Sequence, residues 1–335
     1  MEGCFFMKRY VIEQKLKTAA AFLIILTLLP YVVSVFVNGV DVAAEDGGGP
    51  FYVRIRISED GEKEDVKEVN WTEYLAGILA GEMSEDSDIE ALKAQAVVIR
   101  TQIYQELSDT EDKVLTEDYL TRDEMEKRWG ADKFRSCYEK YIRAVEETDD
   151  TVLMYGDACA WTPFHQSSCG MTRSAAEVLG SEEYPYIAVR ECALDKEAEE
   201  EIGAFHFTYR EVQEMCRDFL VAEENTETAS QGYSFADFEI LSYDSAGYVS
   251  KLRIGNTECT GDQFRDALSL PSSCFSLSEG ENELIITTTG RGHGLGMSLW
   301  TARKMAEEGK SYGEILAFFY EGTELRNDMP ETELF

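Results

Sequence analysis

Between Ala19 and Val37 the chain is apolar except at Thr27, Pro30 and Ser34. At about 1.5 Å per helical residue, such a run crosses a hydrocarbon core of about 30 Å. Lys8, Arg9, Lys15 and Lys17 precede it, and basic flanks hold that end in the cytoplasm. Residues 1–44 are therefore expected to form a cytoplasmic tail and a transmembrane signal anchor. An uncleaved anchor is favoured over processing at Val42-Ala43-Ala44. The expectation is a single-pass protein of the cell membrane with the rest of the chain extracytoplasmic.

After the run the rhythm changes. Asp46-Gly47-Gly48-Gly49-Pro50 ends a linker at 45–50. Phe51-Tyr52-Val53-Arg54-Ile55-Arg56-Ile57 alternates and predicts a strand. Asn70-Trp71-Thr72-Glu73 has the capping-box pattern and opens a helix through Met83. Ser87-Asp88-Ile89-Glu90 opens a second helix, to about Leu107. Residues 117–147 read as helical, charged and surface-lying. Strands are expected near 151–155 and 184–190, a helix over 208–220, and strands near 238–243, 248–254 and 284–289. A helix begins at Ser298 and stops at Gly309; another begins at Ser311, with Glu314 completing its cap. The elements mix without strict alternation, which predicts an α+β fold with mainly antiparallel strands. One large domain is expected over 51–328, with a short tail at 329–335.

Composition sharpens this picture. The 335 residues are 44% hydrophobic, enough for a substantial core, and carry a net charge of −34. Such acidity repels nucleic acid and anionic headgroups, whereas a neutral or zwitterionic polymer such as a glycan remains compatible. Of the eight cysteines, Cys4 precedes the apolar run. The other seven are an odd number and cannot all pair with one another.

Candidate chemistry appears where polar groups interrupt apolar stripes. Glu82 lies seven residues after Leu75, four after Ile78 and three after Leu79, so it projects from the apolar face of its helix. A carboxyl there is costly to ionise, and that is the environment of a general acid near neutral pH. The competing account is a structural carboxylate bonded to an arginine. In the second helix Leu92, Ala96, Ile99 and Ile103 form the stripe, with Gln95 and Arg100 on or beside it. A guanidinium on such a face wants a carboxylate or ligand oxygens, so Arg100 either approaches Glu82 and its substrate or forms a structural pair.

Two further clusters stand out. Gly290, Gly292, Gly294 and Gly296 follow a predicted strand, but no frame gives G-x-G-x-x-G or G-x-x-x-x-G-K, so a nucleotide cradle is excluded. Glycines at that spacing allow close backbone approach to a ligand or another strand. His293, inside this loop, either lines a cleft or bonds the loop to the core. His165 and Cys169, with Cys159 six residues before the histidine and Cys192 downstream, offer nitrogen and sulfur ligands suited to Zn²⁺. A Cys169–His293 nucleophilic pair lacks a third supporting residue.

Three blocks carry a family resemblance. The first runs from Trp71 to Met83 and from Glu90 to Thr101. The second is Phe164-His165-Gln166-Ser167-Ser168-Cys169-Gly170-Met171-Thr172, followed by Ala176–Gly180 and Tyr184-Pro185-Tyr186. The third runs from Gly290 to Trp300 and continues through Tyr320-Glu321-Gly322-Thr323. In this order they resemble the SpoIID (stage II sporulation protein D) family over roughly 51–325. Ile99 stands where that family usually has a small residue.

The resemblance implies a lytic transglycosylase acting on peptide-stripped peptidoglycan, with Glu82 as acid/base and Arg100 needed for activity. Gln95 and His293 are then candidate substrate-binding residues. No cofactor is implied for catalysis. A structural zinc on His165 and Cys169, with Cys159 or Cys192, fits some relatives. The implied setting is engulfment during sporulation, beside a SpoIIP-like amidase and a SpoIIM-like membrane protein. Two rivals remain: a non-catalytic amidase enhancer that binds wall, and a zinc hydrolase built on His165 and the cysteines.

Overall fold

Two antiparallel strands, β1 (Tyr52–Glu59) and β2 (Lys63–Asn70), pair from Tyr52 with Asn70 to Glu59 with Lys63. Val53 and Ile55 face the core while Arg54 and Arg56 face outward, as the alternation predicts. The computed structural model describes residues 51–59, 63–110, 113–116, 118–198, 201–220 and 233–327. The expected anchor, linker and C-terminal tail lie outside these residues. Among the described residues no helix is long and apolar enough to cross a membrane.

Both leading helices start within the segments predicted to open them, the second capped by Asp88. Asn70 Oδ1 accepts the Glu73 N–H at 3.1 Å at the head of α1 (Trp71–Glu82). Asp88 Oδ1 accepts the Glu90 N–H at 2.9 Å at the head of α2 (Ile89–Asp109). Each cap satisfies a backbone donor that the helix itself leaves open. β3 (Val114–Leu115) then adds parallel to β1.

The segment expected to be one surface-lying helical region is two helices, α3 (Arg122–Trp129) and α4 (Ala131–Glu146), with Gly130 between them at φ 76°. A left-handed residue cannot continue a helix, and glycine adopts that conformation without steric cost. The charges lie outside, but Met125, Trp129, Tyr141 and Val145 are buried, so the pair forms a wall of the core. Tyr141 Oη donates to the Met83 carbonyl at 2.9 Å, fixing α4 to the end of α1.

β4 (Val152–Tyr155) pairs with β5 (Ala158–Cys159), and β6 (Phe164–His165) and α5 (Ala175–Leu179) follow. Residues 184–190 form no strand. The Ile187 N–H donates to the Tyr184 carbonyl at 3.0 Å, closing a turn around Pro185, which has no N–H for a ladder.

Residues beyond 201 build a second core. β7 (Ile202–Thr208), α6 (Tyr209–Met215), β8 (Phe238–Tyr243), β9 (Val249–Ile254), β10 (Thr257–Cys259), α7 (Gly261–Ala267), β11 (Phe275–Glu279) and β12 (Glu283–Thr289) form two antiparallel sheets, ordered β10-β9-β8 and β11-β12-β7. Val212, Leu252, Ile254, Phe264, Leu284 and Ile286 close over one another between them.

The chain then returns to the first core. β13 (Met297–Ser298) pairs parallel with β6, α8 (Leu299–Glu307) and α9 (Tyr312–Phe319) pack on α2, and β14 (Glu324–Arg326) pairs antiparallel with β4. Ser298 caps α8 and Ser311 caps α9 with Glu314 in a full capping box, as predicted. The fold is α+β with mainly antiparallel strands.

Candidate active site

α1 ends at Glu82, which is half-buried, and its carboxyl lies near the negative end of the helix dipole. Ile78 precedes it by one turn. Ile99, Gln102, Ile103 and Glu106 share one face of α2 at helical spacing, and with Ile78 of α1 and Phe164 of β6 these residues and Glu82 line a small cleft. Gln102 Nε2 donates to the Thr162 carbonyl at 2.8 Å, and Gln166 Nε2 donates to the Glu82 carbonyl at 3.3 Å. The second sequence block thus forms the wall opposite α1.

Two carboxyl side chains, Glu82 and Glu106, line this cleft. Glu106 accepts the Thr116 hydroxyl at 3.3 Å. Sequence reasoning missed Glu106 and Gln102, although the signal was there. Gln102 falls three and Glu106 seven residues after Ile99, on the same face of the helix as the apolar stripe. Ile78, Ile103 and Phe164 give the cleft beside Glu82 apolar walls, a setting that suits proton transfer to a bound oxygen.

Arg100 and Gln95 are placed differently. Arg100 is 1% exposed and is not among the side chains lining this cleft. Its guanidinium donates to the Thr148 hydroxyl (3.2 Å), the Thr151 carbonyl (3.0 Å) and the Val145 carbonyl (3.2 Å), binding the end of α4 to the start of β4. Gln95 is fully buried one turn before Ile99 on the same helical stripe; its amide has no hydrogen-bond partner among the described residues.

The glycine loop approaches protein, as one of the two sequence readings allowed. A Cβ on Gly292 would lie 2.6 Å from the His165 Cβ, and one on Gly296 would collide with the Pro163 carbonyl. Both residues have positive φ, so the loop fits only as glycine. His293 binds the loop inward. Its Nδ1 accepts the Leu295 N–H at 3.0 Å, and its carbonyl accepts from Arg173 at 3.2 Å. Arg173 also donates to Asp244 at 2.7 Å and to Asp262 at 2.9 and 3.0 Å, joining the two cores through a buried charge cluster. Burial pushes His293 down to about 4, with His165, Arg265 and Arg173 adding to the effect; burial likewise holds His165 at about 4. Both imidazoles are neutral at neutral pH, with ring centres 6.0 Å apart.

The proposed zinc ligands do not come together. Among the described residues, no three histidine, cysteine, aspartate or glutamate side chains converge as a metal site requires. His165 Nδ1 lies 3.0 Å from the Leu295 carbonyl. Burial and the neighbouring Asp195 push the Cys192 thiol up to about 12, and its hydrogen-bond partners are Thr301 and Ser168. Burial also raises the Cys159 thiol, on β5. Cys169 instead faces Cys274, whose hydrogen bond lowers the Cys169 thiol below its ordinary value. A thiolate or imidazole set scattered in this way does not fit a tetrahedral ion.

The profile of the SpoIID family, described as stage II sporulation protein, matches residues 59–155, from the last residue of β1 through β2, α1 and α2 to the end of β4. The chain is 32% identical over 265 residues to an uncharacterised protein of Brachyspira hyodysenteriae, covering 78% of this chain and 67% of that one. It is 28% identical over 272 residues to the stage II sporulation protein D of Bacillus subtilis, covering 78% and 75%. It is also 23% identical to the amidase enhancer of Bacillus subtilis, over 75% of this chain but 40% of that protein.

Proposed function

Because this chain belongs to the SpoIID family of stage II sporulation proteins, we propose that it is a lytic transglycosylase cleaving peptide-stripped peptidoglycan. The observation that carries this reading is the position of Glu82, at the end of α1 and on the wall of an open cleft with Gln102, Glu106 and Phe164.

Glu82 protonates the glycosidic oxygen between N-acetylmuramic acid and N-acetylglucosamine. The resulting carboxylate then takes the proton from the muramyl 6-hydroxyl, whose oxygen attacks the anomeric carbon and closes a 1,6-anhydro ring. The two proton transfers cancel, no water is consumed, and one residue serves both steps. This departs from hydrolytic glycosidases, in which a second carboxylate activates water or attacks the sugar. Glu106 and Gln102 sit where they can hold sugar hydroxyls. Arg100 acts from below, by fixing the junction of α4 and β4 behind α2. The protein then works outside the membrane, held there by the segment around 19–37, alongside a SpoIIP-like amidase and a SpoIIM-like membrane protein. Incubation with denuded glycan strands tests the reading: soluble products should carry 1,6-anhydro ends by mass spectrometry, and reducing ends would contradict it.

A second reading has one specific support, the similarity to the amidase enhancer. There the same cleft binds glycan strands without cutting them, and an amidase does the cutting. The scattered ligand set leaves no metal site through which to route a zinc hydrolase among the described residues.

A further inference from the structure

A second and larger cleft, of about 920 Å³, opens where the two cores meet; Cys169, Lys196, Ala246, Gly247, Cys274 and Gly290 are among its walls. Cys169 comes from the loop after β6 and Cys274 from the residue before β11, so the two lie on different cores. Their side chains line this one cleft and act on each other electrostatically, and Cys169 Sγ also lies 3.4 Å from the Ala246 carbonyl. Both backbones are held by the same stretch of chain. Arg291 and Ser167 exchange N–H bonds at 2.9 and 3.2 Å, and the Thr289 N–H donates to the Cys274 carbonyl at 2.9 Å. Both thiols are half-buried at the cleft, whereas Cys216 and Cys259, which also interact, are buried. The first pair is therefore the one that a dissolved reagent can reach.

We propose that Cys169 and Cys274 are a covalent modification site, forming a disulfide across this cleft that ties the second core to the loop between β6 and α5, which carries Arg173. The bond closes a loop containing β7 to α7 of the second core, and it joins thiols that line one cleft. The required oxidant is a disulfide, either of low molecular weight or in a thiol oxidoreductase. The Cys169 thiolate attacks one sulfur of that disulfide and expels the other as a thiolate. Cys274, losing its proton, then attacks the Cys169 sulfur and expels the second thiolate. Two protein thiols are oxidised, one external disulfide is reduced to two thiols, and the two protons pass to them. An oxidising space outside the membrane favours the bonded state, and this much rests on the export reading above. The capacity to form the bond does not depend on that reading or on any glycan activity.

The test uses the full chain in detergent, incubated folded with oxidised glutathione, alkylated, and digested without reductant. The expected result is a single linked peptide pair containing Cys169 and Cys274. It should be absent after treatment with reductant and absent in Cys274→Ser, with both cysteines lost from the alkylated fraction. The oxidised protein should also melt at a higher temperature than the reduced one, a shift that Cys274→Ser abolishes. The wild-type peptide map alone decides the matter if the variant folds poorly. Two alkylated thiols after oxidation would overturn the proposal, as would Cys169 trapped as a glutathione adduct while Cys274 stays free.

Discussion

Gln166 and Glu82, 84 residues apart in the chain, meet through one hydrogen bond from the Gln166 amide to the Glu82 carbonyl at 3.3 Å. The Gln166 carbonyl in turn accepts the Trp300 N–H at 3.0 Å. Residues of all three sequence blocks thus converge on the end of α1, which sets where the Glu82 carboxyl sits. A single bond of this kind contributes roughly 0.5–1.5 kcal/mol. Gln166→Ala is expected to lower kcat by about two- to tenfold with little change in KM, because the bond positions Glu82 without holding substrate. Release of soluble glycan fragments measures both constants. A rise in KM at unchanged kcat would make Gln166 a substrate contact instead.

Arg100 should behave as a structural residue first. Removing its side chain takes the guanidinium donor from the Thr151 carbonyl, while the Val145 carbonyl keeps its bonds from Thr148, and a cavity opens in a buried place. Arg100→Ala is therefore expected to cost on the order of 3–5 kcal/mol of stability, and Arg100→Lys less, since an ammonium keeps a donor there although it cannot reproduce the whole fork. Denaturant unfolding gives the difference directly. An Arg100→Ala protein as stable as wild type but inactive would move Arg100 from the core into the chemistry.

Acid should weaken the joint between the cores. His165 and His293 have an ordinary value of 6.5 but hold at about 4 when folded. Between those values the unfolded chain binds protons that the folded chain does not, so stability rises with pH over this window and is lost as pH falls through it. Arg173, Arg265 and Asp262 are the charged groups acting on His293. His293→Asn removes one of the two titrations, so wild type should lose melting temperature relative to this variant as pH falls from 6.5 to 4. Parallel curves for the two proteins would contradict this.

The helical frame of the site was legible because short-range rules suffice there. Asn70, Asp88, Ser298 and Ser311 each carry an oxygen that caps the following helix, and the apolar spacing in α1 and α2 does the rest. The mixed, mainly antiparallel character was legible for similar reasons. The strand expected at 184–190 failed because Tyr186 and Ile187 are apolar for another purpose: both are buried against the first core around the turn at Pro185. The inward face of α3 and α4 was hidden by the charges flanking Met125 and Trp129. Arg100 shows the limit most clearly. Periodicity placed it beside the stripe, but its acceptors lie 45 to 51 residues away, and no local rule reaches that far.

The cysteine and histidine cluster makes a further prediction. As His165, Cys169, Cys159 and Cys192 do not converge, treatment with a strong chelator should leave the melting temperature unchanged. His165→Ala should still destabilise the protein, through the lost contact with the Leu295 carbonyl at 3.0 Å. Stoichiometric zinc by elemental analysis, lost together with stability on chelation, would overturn this.

Glu82→Gln tests the central claim most directly. The amide keeps the size of the side chain at the cleft wall but cannot deliver a proton to the leaving oxygen. Loss of general acid/base catalysis typically costs about 10² to 10⁴ in rate, and with one residue serving both steps the upper end is expected. Folding and binding of denuded glycan strands should persist, because the rest of the cleft is intact. The decisive measurement is the rate of 1,6-anhydro product release by folded, glycan-binding Glu82→Gln protein beside wild type. A fall of about 10⁴ agrees with the account, whereas a rate near that of wild type would contradict it.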